Sequence, residues 1–341
     1  MSSVAELPKA ELHLHLEGAV NPAIVAELAP ELSREEIDAR FRFSGFEGFI
    51  ECFKWVTSYL RGPEAYALVA RRLMSQLANQ KVRYAEITLS AGVVIWRELD
   101  FEAIYTAVRR EAEASPVEVR WILDAVRHFG VDHAWQVAEL AVSRVNNGVV
   151  AFGIGGSEER GPAGWFGEVF AHCRKYGLRL TAHAGETSTA QSVWDALAIG
   201  AERVGHGIRA VHDPALLKHL RDHRIPLEVC LTSNVATRAV PSMSAHPLLE
   251  LFDAGVPIVL NSDDPGLFGT TLTHEYEIAR DQFGFSDQEL ELLANNAFEF
   301  AFAPEPKAAG WPGKSRTIEP PPRPTSARSA LAPRRSTCSE S

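Results

Sequence analysis

The sequence predicts an α/β fold of the TIM type: one (β/α)8 barrel with a helical insertion after its first strand and a disordered C-terminal tail. Three observations lead there. Eight short apolar, β-branched runs recur along the chain, helix-period segments separate most of them, and 341 residues with a 46% apolar fraction suffice for one large core. Strands alternating with helices of such length pair in parallel. Eight units suggest closure into a barrel, although periodicity alone also fits a doubly wound open sheet.

The strand runs fall at 10–16, 82–89, 118–126, 148–153, 178–183, 203–206, 226–230 and 256–261. Helical patterns between them occupy 63–80, 101–114, 132–146, 162–176, 189–199, 212–221 and 244–254. Residues 17–81 interrupt the rhythm with 22–40 and the aromatic-rich 43–61, where Phe46, Phe49, Ile50 and Phe53 recur on one helix face. That stripe reads as a buried face packing the insertion onto the barrel, and it is compatible with a cover over a ligand. From Ala303 onward the chain holds eight of its 20 prolines, loses apolar periodicity and turns basic. Such composition cannot bury enough apolar surface to offset its ordering entropy. The division is a metal-dependent barrel over 1–302 and a Pro-rich tail over 303–341.

A formal charge of −10 argues against a general nucleic-acid binder or a membrane-surface protein, since phosphate contacts need clustered Lys and Arg. Cys52, Cys173, Cys230 and Cys338 lack CxxC spacing, which speaks against a cysteine-built zinc site and for a reducing compartment. The start, MSSVAELPK, has no apolar signal core, and no run of about 18 apolar residues follows. The expectation is a cytoplasmic protein.

The chemistry lies at strand ends. His13 and His15 stand two apart in the first strand run, so both side chains project from one face and can grip one ion. A lone HxH is weak, but barrel enzymes place active sites at the C-terminal ends of their strands. His183 closes the fifth run, and Glu186 follows Ala184 and Gly185, which let the chain turn and the carboxylate reach back. Its competing role is an acid in the first turn of the next helix. His206, between Gly205 and Gly207, can accept a proton from water on a metal or bond to a carbonyl. Asp263 and Asp264 end the eighth run, and two adjacent carboxylates repel unless a cation or donors relieve them. A cap ahead of Pro265 is the alternative. Three histidines and an aspartate make a donor set suited to Zn²⁺, ahead of iron or manganese. Such a centre acidifies bound water, while a neighbouring carboxylic acid protonates the leaving side of a substrate. That is the logic of hydrolysis.

The run LPKAELHLHLEGAV, the later TAHAGE, the GHG and the NSDDP resemble the adenosine deaminase family in identity, order and spacing, across residues 7–302. The resemblance implies a barrel that binds one zinc ion and hydrolyses 6-aminopurines to 6-oxopurines with release of ammonia. It implies zinc on His13, His15, His183 and Asp263, and Glu186 as the acid that protonates purine N1. It makes His206 the residue that orients and deprotonates the attacking water, and Asp264 the one that aligns water and ring. Gly156 would contact the purine through its backbone. Cytidine-type deaminases use an HxE and a PCxxC zinc site, and this chain has no PCxxC.

Departures bear on the substrate. Adenosine deaminases carry HLDG where this chain has His15-Leu16-Glu17-Gly18, which puts Glu17 at the ribose-facing, substrate-binding position. Gly153 stands where an acidic residue is usual. The FKWVTSYLR stretch and the AFGIGGSEERGPAGWF segment are similar to bacterial 6-aminodeoxyfutalosine deaminases of the menaquinone pathway. Their substrate is an adenosine bearing a carboxyphenyl group on its 5′ side, and Phe49, Phe53 and Trp55 with Lys54 or Arg160 would suit that ring and anion. The expected partner is a small purine nucleoside, 6-aminodeoxyfutalosine ahead of adenosine, with adenine third. An amidohydrolase acting on a ring amide would keep the metal without needing Glu186 and Gly156 together. A barrel retained only for binding would show eroded ligands, and none is visible.

Overall fold

The computed structural model describes residues 4–302; the segment 303–341 expected to form the tail, with Cys338, lies outside the described residues. Eight parallel strands form one sheet in sequential order. They are β1 (Lys9–His15), β2 (Val82–Leu89), β3 (Glu118–Val126), β4 (Val149–Gly155), β5 (Arg179–Ala184), β6 (Arg203–His206), β7 (Leu227–Val229) and β8 (Ile258–Leu260). This is the TIM barrel, and the open doubly wound alternative falls. Each run read from the sequence holds a strand. The last two strands are shorter than their runs because their ladder pairs only Leu227 with Ile258, Glu228 with Val259 and Val229 with Leu260.

One buried apolar residue from each strand, Leu14, Ile87, Leu123, Ile154, Leu180, Val204, Val229 and Leu260, joins the core beneath the surrounding helices. The floor of the barrel is polar. Arg203 Nη2 meets Glu86 Oε2 at 2.5 Å and its Nε meets Glu228 Oε1 at 2.6 Å, all three side chains being buried. The Phe302 ring lies 3.5 Å from the Arg203 guanidinium, so the residues after the last helix stopper this end.

The seam between β8 and β1 depends on side chains. Asn261 Oδ1 accepts from the N–H groups of Leu12 (2.8 Å) and His13 (3.0 Å), and Ser262 N–H donates to Glu11 Oε1 at 2.8 Å. His15 N–H then donates to the Asp263 carbonyl at 2.9 Å, and Asp263 N–H to that of His13 at 3.1 Å. The NSD tripeptide thus closes the sheet before it serves anything else.

The insertion forms three helices, Pro22–Leu28, Arg34–Arg40 and Gly45–Thr57. The aromatic stripe differs from the expectation of a buried face. Phe46, Phe49, Ile50 and Phe53 are only partly buried, while Cys52, Val56 and Thr57 make the enclosed face. Phe49 stacks toward Phe268, just past Asp264, with centroids 5.1 Å apart, and Arg238 Nε donates to Ser44 Oγ at 2.8 Å. The helix therefore lies over the loops after β7 and β8. Two further helices, Leu272–Phe283 and Asp287–Glu299, follow β8, the latter opened by a Ser286/Glu289 capping box. No helix among the described residues is long and apolar enough to cross a membrane.

Candidate active site

Four of the singled-out side chains meet at the C-terminal ends of β1 and β5 and just past β8. His13 Nε2 and His15 Nε2 lie 3.3 and 3.5 Å from Asp263 Oδ1, and His15 Nε2 lies 3.2 Å from His183 Nε2. Each outer ring nitrogen of two of these histidines is tied: His13 Nδ1 to Glu228 Oε2 at 2.8 Å and His183 Nδ1 to the Ile154 carbonyl at 3.1 Å. Those bonds turn both Nε2 atoms inward, the arrangement by which outer partners orient metal-binding imidazoles. His206 joins the same cluster, its Nε2 3.9 Å from Asp263 Oδ2 and 3.7 Å from Glu186 Oε2.

Backbone strain marks two of these residues. His206 (φ 61°) and Asp263 (φ 63°) both occupy the left-handed region that non-glycine residues avoid. Neighbouring glycines make the crowding possible. A Cβ on Gly205 would sit 2.7 Å from His13 Cε1, and one on Gly18 would overlap the Asp264 carboxyl at 1.8 Å.

Electrostatics sort the groups. Burial lowers the His15 pKa to about 4 and takes His183 well below its ordinary value, so both rings present lone pairs. Burial also pulls on His13, but the carboxylates of Asp263 and Glu228 outweigh it and raise its pKa to about 10. The cluster is built to hold positive charge against Asp263. Burial, reinforced by the charge of Asp263, pushes Asp264 well above the usual carboxylate range. Burial likewise raises Glu186. A raised pKa brings such a carboxyl closer to the range of a proton donor.

Glu186 is not a cap. Its Oε1 accepts from Thr237 Oγ at 3.0 Å, and the turn it sits in is capped by Glu158 instead. Glu158 accepts from the N–H groups of Gly185 (2.7 Å), Glu186 (3.0 Å) and Thr187 (2.8 Å), and from the Ser192 hydroxyl. Asp264 likewise makes no side-chain cap to the helix that Pro265 begins, and its Oδ1 has no hydrogen-bond partner. His206 bonds to the Asn234 side chain rather than to a carbonyl.

Glu17 is wholly buried, bonded by Ser90 N–H at 3.2 Å, and its pKa is pushed up by burial to about 8. Gly156 adopts φ 87° beside His128. Lys54 and Arg160 both add to the burial that lowers the His128 pKa, and Lys54 Nζ is itself paired with Glu51 Oε1 at 2.8 Å. Trp55 is elsewhere: it packs on Phe41 (6.3 Å) and Tyr59 (5.2 Å), so it leaves the group proposed for an aromatic ligand. Sequence reasoning assigned no role to Glu158, Glu228, Ser233, Asn234, Thr237 or His246. Only Glu158 carried a signal, in the SEE that directly follows Gly156.

The fold and the site define a barrel enzyme whose histidines and carboxylates converge at the strand ends. The chain belongs to the adenosine deaminase family, whose sequence model matches residues 8–311, and it is an aminohydrolase. It is 42% identical over 315 residues to an aminodeoxyfutalosine deaminase of Streptomyces avermitilis, covering 88% of each protein. It is 38% identical to an adenine deaminase of Rhizobium meliloti, covering 89% of this chain and 96% of that one. Among solved structures it is similar to an adenine deaminase from Arthrobacter aurescens, with a TM-score of 0.82 and 28% identity over 87% of this chain and 94% of that one. An amidohydrolase from Burkholderia ambifaria, solved with bound Zn, gives a TM-score of 0.80 at 26% identity over 88% of this chain and 87% of that one. These relatives support hydrolytic deamination of a purine-like substrate.

Proposed function

We propose that this chain is a zinc-dependent deaminase of a 6-aminopurine nucleoside, with 6-aminodeoxyfutalosine ahead of adenosine. The convergence of His13, His15, His183 and Asp263 beside a buried Glu186 carries the reading. The residues fit the ion by chemistry: three imidazoles and one carboxylate, the donors borderline-soft zinc prefers. They also fit by state, since His13 Nε2 is buried without a hydrogen-bond partner and the cluster favours positive charge there. When bound, zinc supplies acidified water near neutral pH.

The chain's own residues do the rest. Glu186, its pKa raised by burial, protonates purine N1 and makes C6 electrophilic. His206 orients the attacking water from across the cluster, and Ser233 fixes Asp263 through a 2.6 Å bond to Oδ2. Asp264, unpartnered at Oδ1, takes a hydrogen bond from or gives one to the ring. The Gly156 backbone receives the purine edge, and Glu17 holds the position that the family resemblance turns toward the sugar.

The substrate choice rests on the 42% relative and on the aromatic mouth. Phe49, Phe53 and Phe268 form a line of rings, with Phe49 6.0 Å from Phe53 and 5.1 Å from Phe268, and the charges of Lys54 and Arg160 are felt at His128, beside Gly156. Adenine is the second reading, favoured by the likeness to adenine deaminases and by the sealed position of Glu17. The test offers purified protein 6-aminodeoxyfutalosine, adenosine and adenine side by side, following ammonia release with metal content measured. Highest kcat/KM for 6-aminodeoxyfutalosine is expected. No turnover of any of the three by zinc-loaded protein would overturn the proposal.

A further inference from the structure

Which nitrogen of His206 carries hydrogen decides whether it gives or takes a hydrogen bond toward Glu186 and Asp263. Three residues behind it answer the question. The Leu248 backbone N–H lies 3.1 Å from His246 Nδ1. Pro247 between them has no N–H, so Leu248 offers the first amide after the ring. A backbone amide can only donate, so His246 Nδ1 accepts. Burial holds that ring neutral, with its pKa lowered to about 3. Its single hydrogen is therefore on Nε2, 3.1 Å from Asn234 Oδ1. With Oδ1 accepting, the Asn234 amide nitrogen donates to His206 Nδ1, also at 3.1 Å. With Nδ1 accepting, the ring hydrogen of His206 is left on Nε2, the atom facing Glu186 Oε2 and Asp263 Oδ2.

We infer that Leu248 N–H, His246 and Asn234 form a one-way hydrogen-bond relay that fixes His206 as an Nε2–H donor toward the reaction zone. His246, Asn234 and His206 are all buried, so solvent offers no competing partner that would reverse the order. His246 and Asn234 are positioning residues, acting only through His206. The consequence for chemistry is definite. With Nδ1 accepting from Asn234, His206 has no free lone pair at Nε2, so it holds an attacking oxygen by donating to it rather than by taking its proton. The inference rests on the proposed function only for what His206 faces.

The test is nitrogen NMR of zinc-loaded full chain carrying ¹⁵N-labelled histidine. His206 should show a pyridine-type Nδ1 and a pyrrole-type Nε2. Asn234→Asp, whose carboxylate can only accept, should place hydrogen on His206 Nδ1 and lower kcat by at least about tenfold, with KM little changed. His246→Gln can still donate to Asn234 and should preserve the original pattern. A hydrogen on Nδ1 in the unaltered protein overturns the relay, as does an unchanged His206 spectrum in Asn234→Asp. The unaltered protein's spectrum decides the matter even where that variant fails to fold. An inactive chain with the expected pattern would sink the deaminase proposal and leave the relay standing.

Discussion

At the scale of single residues, Glu186 and Glu158 show how two glutamates in one neighbourhood reach opposite states. Burial works on both. Glu158 collects backbone donors and its pKa ends below the ordinary value, whereas Glu186 has one hydroxyl partner and a nearby Asp263, and ends above it. The difference suits one acid to anchoring a turn and the other to giving a proton. Glu186→Gln should retain zinc, measured by metal analysis, and lose about a hundredfold or more in kcat. Full activity in that variant would remove Glu186 from its role. Glu158→Ala should leave the Gly185, Glu186 and Thr187 amides unpaired. An expected loss of about 3 kcal/mol in stability, read by denaturant unfolding, should come with a fall in kcat at saturating zinc.

At the scale of elements, the strands were legible because short apolar runs, β-branched in all but the first, recur between helix-period segments, and because the candidate ligands occur at their ends. The supporting set was not. Glu228 serves His13 across 215 positions, Asn234 serves His206 across 28 and His246 serves Asn234 across 12, and nothing local to them signals those partnerships. The two helices after β8 escaped notice although Ser286 and Glu289 form an ordinary start signal. The aromatic stripe of Gly45–Thr57 was misjudged for a physical reason. Spacing identifies a helix face but not what covers it, and here the loop after β8 covers it only in part. Phe49→Ala should therefore raise KM for a nucleoside with an aromatic 5′ extension about tenfold more than for adenosine, leaving kcat alone. Equal effects on both substrates would assign Phe49 to packing.

At the scale of the whole molecule, the lower end of the barrel carries a testable strain in its charge. Lys9 is fully buried, its Nζ donating to the carbonyls of Val4 (3.0 Å) and Leu7 (2.7 Å), and burial lowers its pKa from 10.5 to about 8. Below pH 8 both folded and unfolded chains hold the proton, and the cost of burying the ammonium is present in full. Between about 8 and 10.5 the folded chain releases the proton first, so this contribution to stability rises with pH across that window. The stability difference between the unaltered protein and Lys9→Met should shift by about 2 kcal/mol in favour of the former from pH 7 to pH 10. A difference independent of pH would mean that Lys9 is not desolvated as described.

The seam that joins β8 to β1 has a consequence for how the enzyme comes into being. His13 leaves the ribosome 248 positions before Asn261, whose side chain its N–H must meet. Between those two moments β1 lacks its closing partners, and the seam cannot form until β8 docks. Any product of premature release or proteolysis that lacks the NSD segment forfeits the closing hydrogen bonds and the Asp263 carboxylate in one stroke. Such fragments should release no ammonia from any of the three purines, so that a measured activity reports a chain that reached the eighth strand.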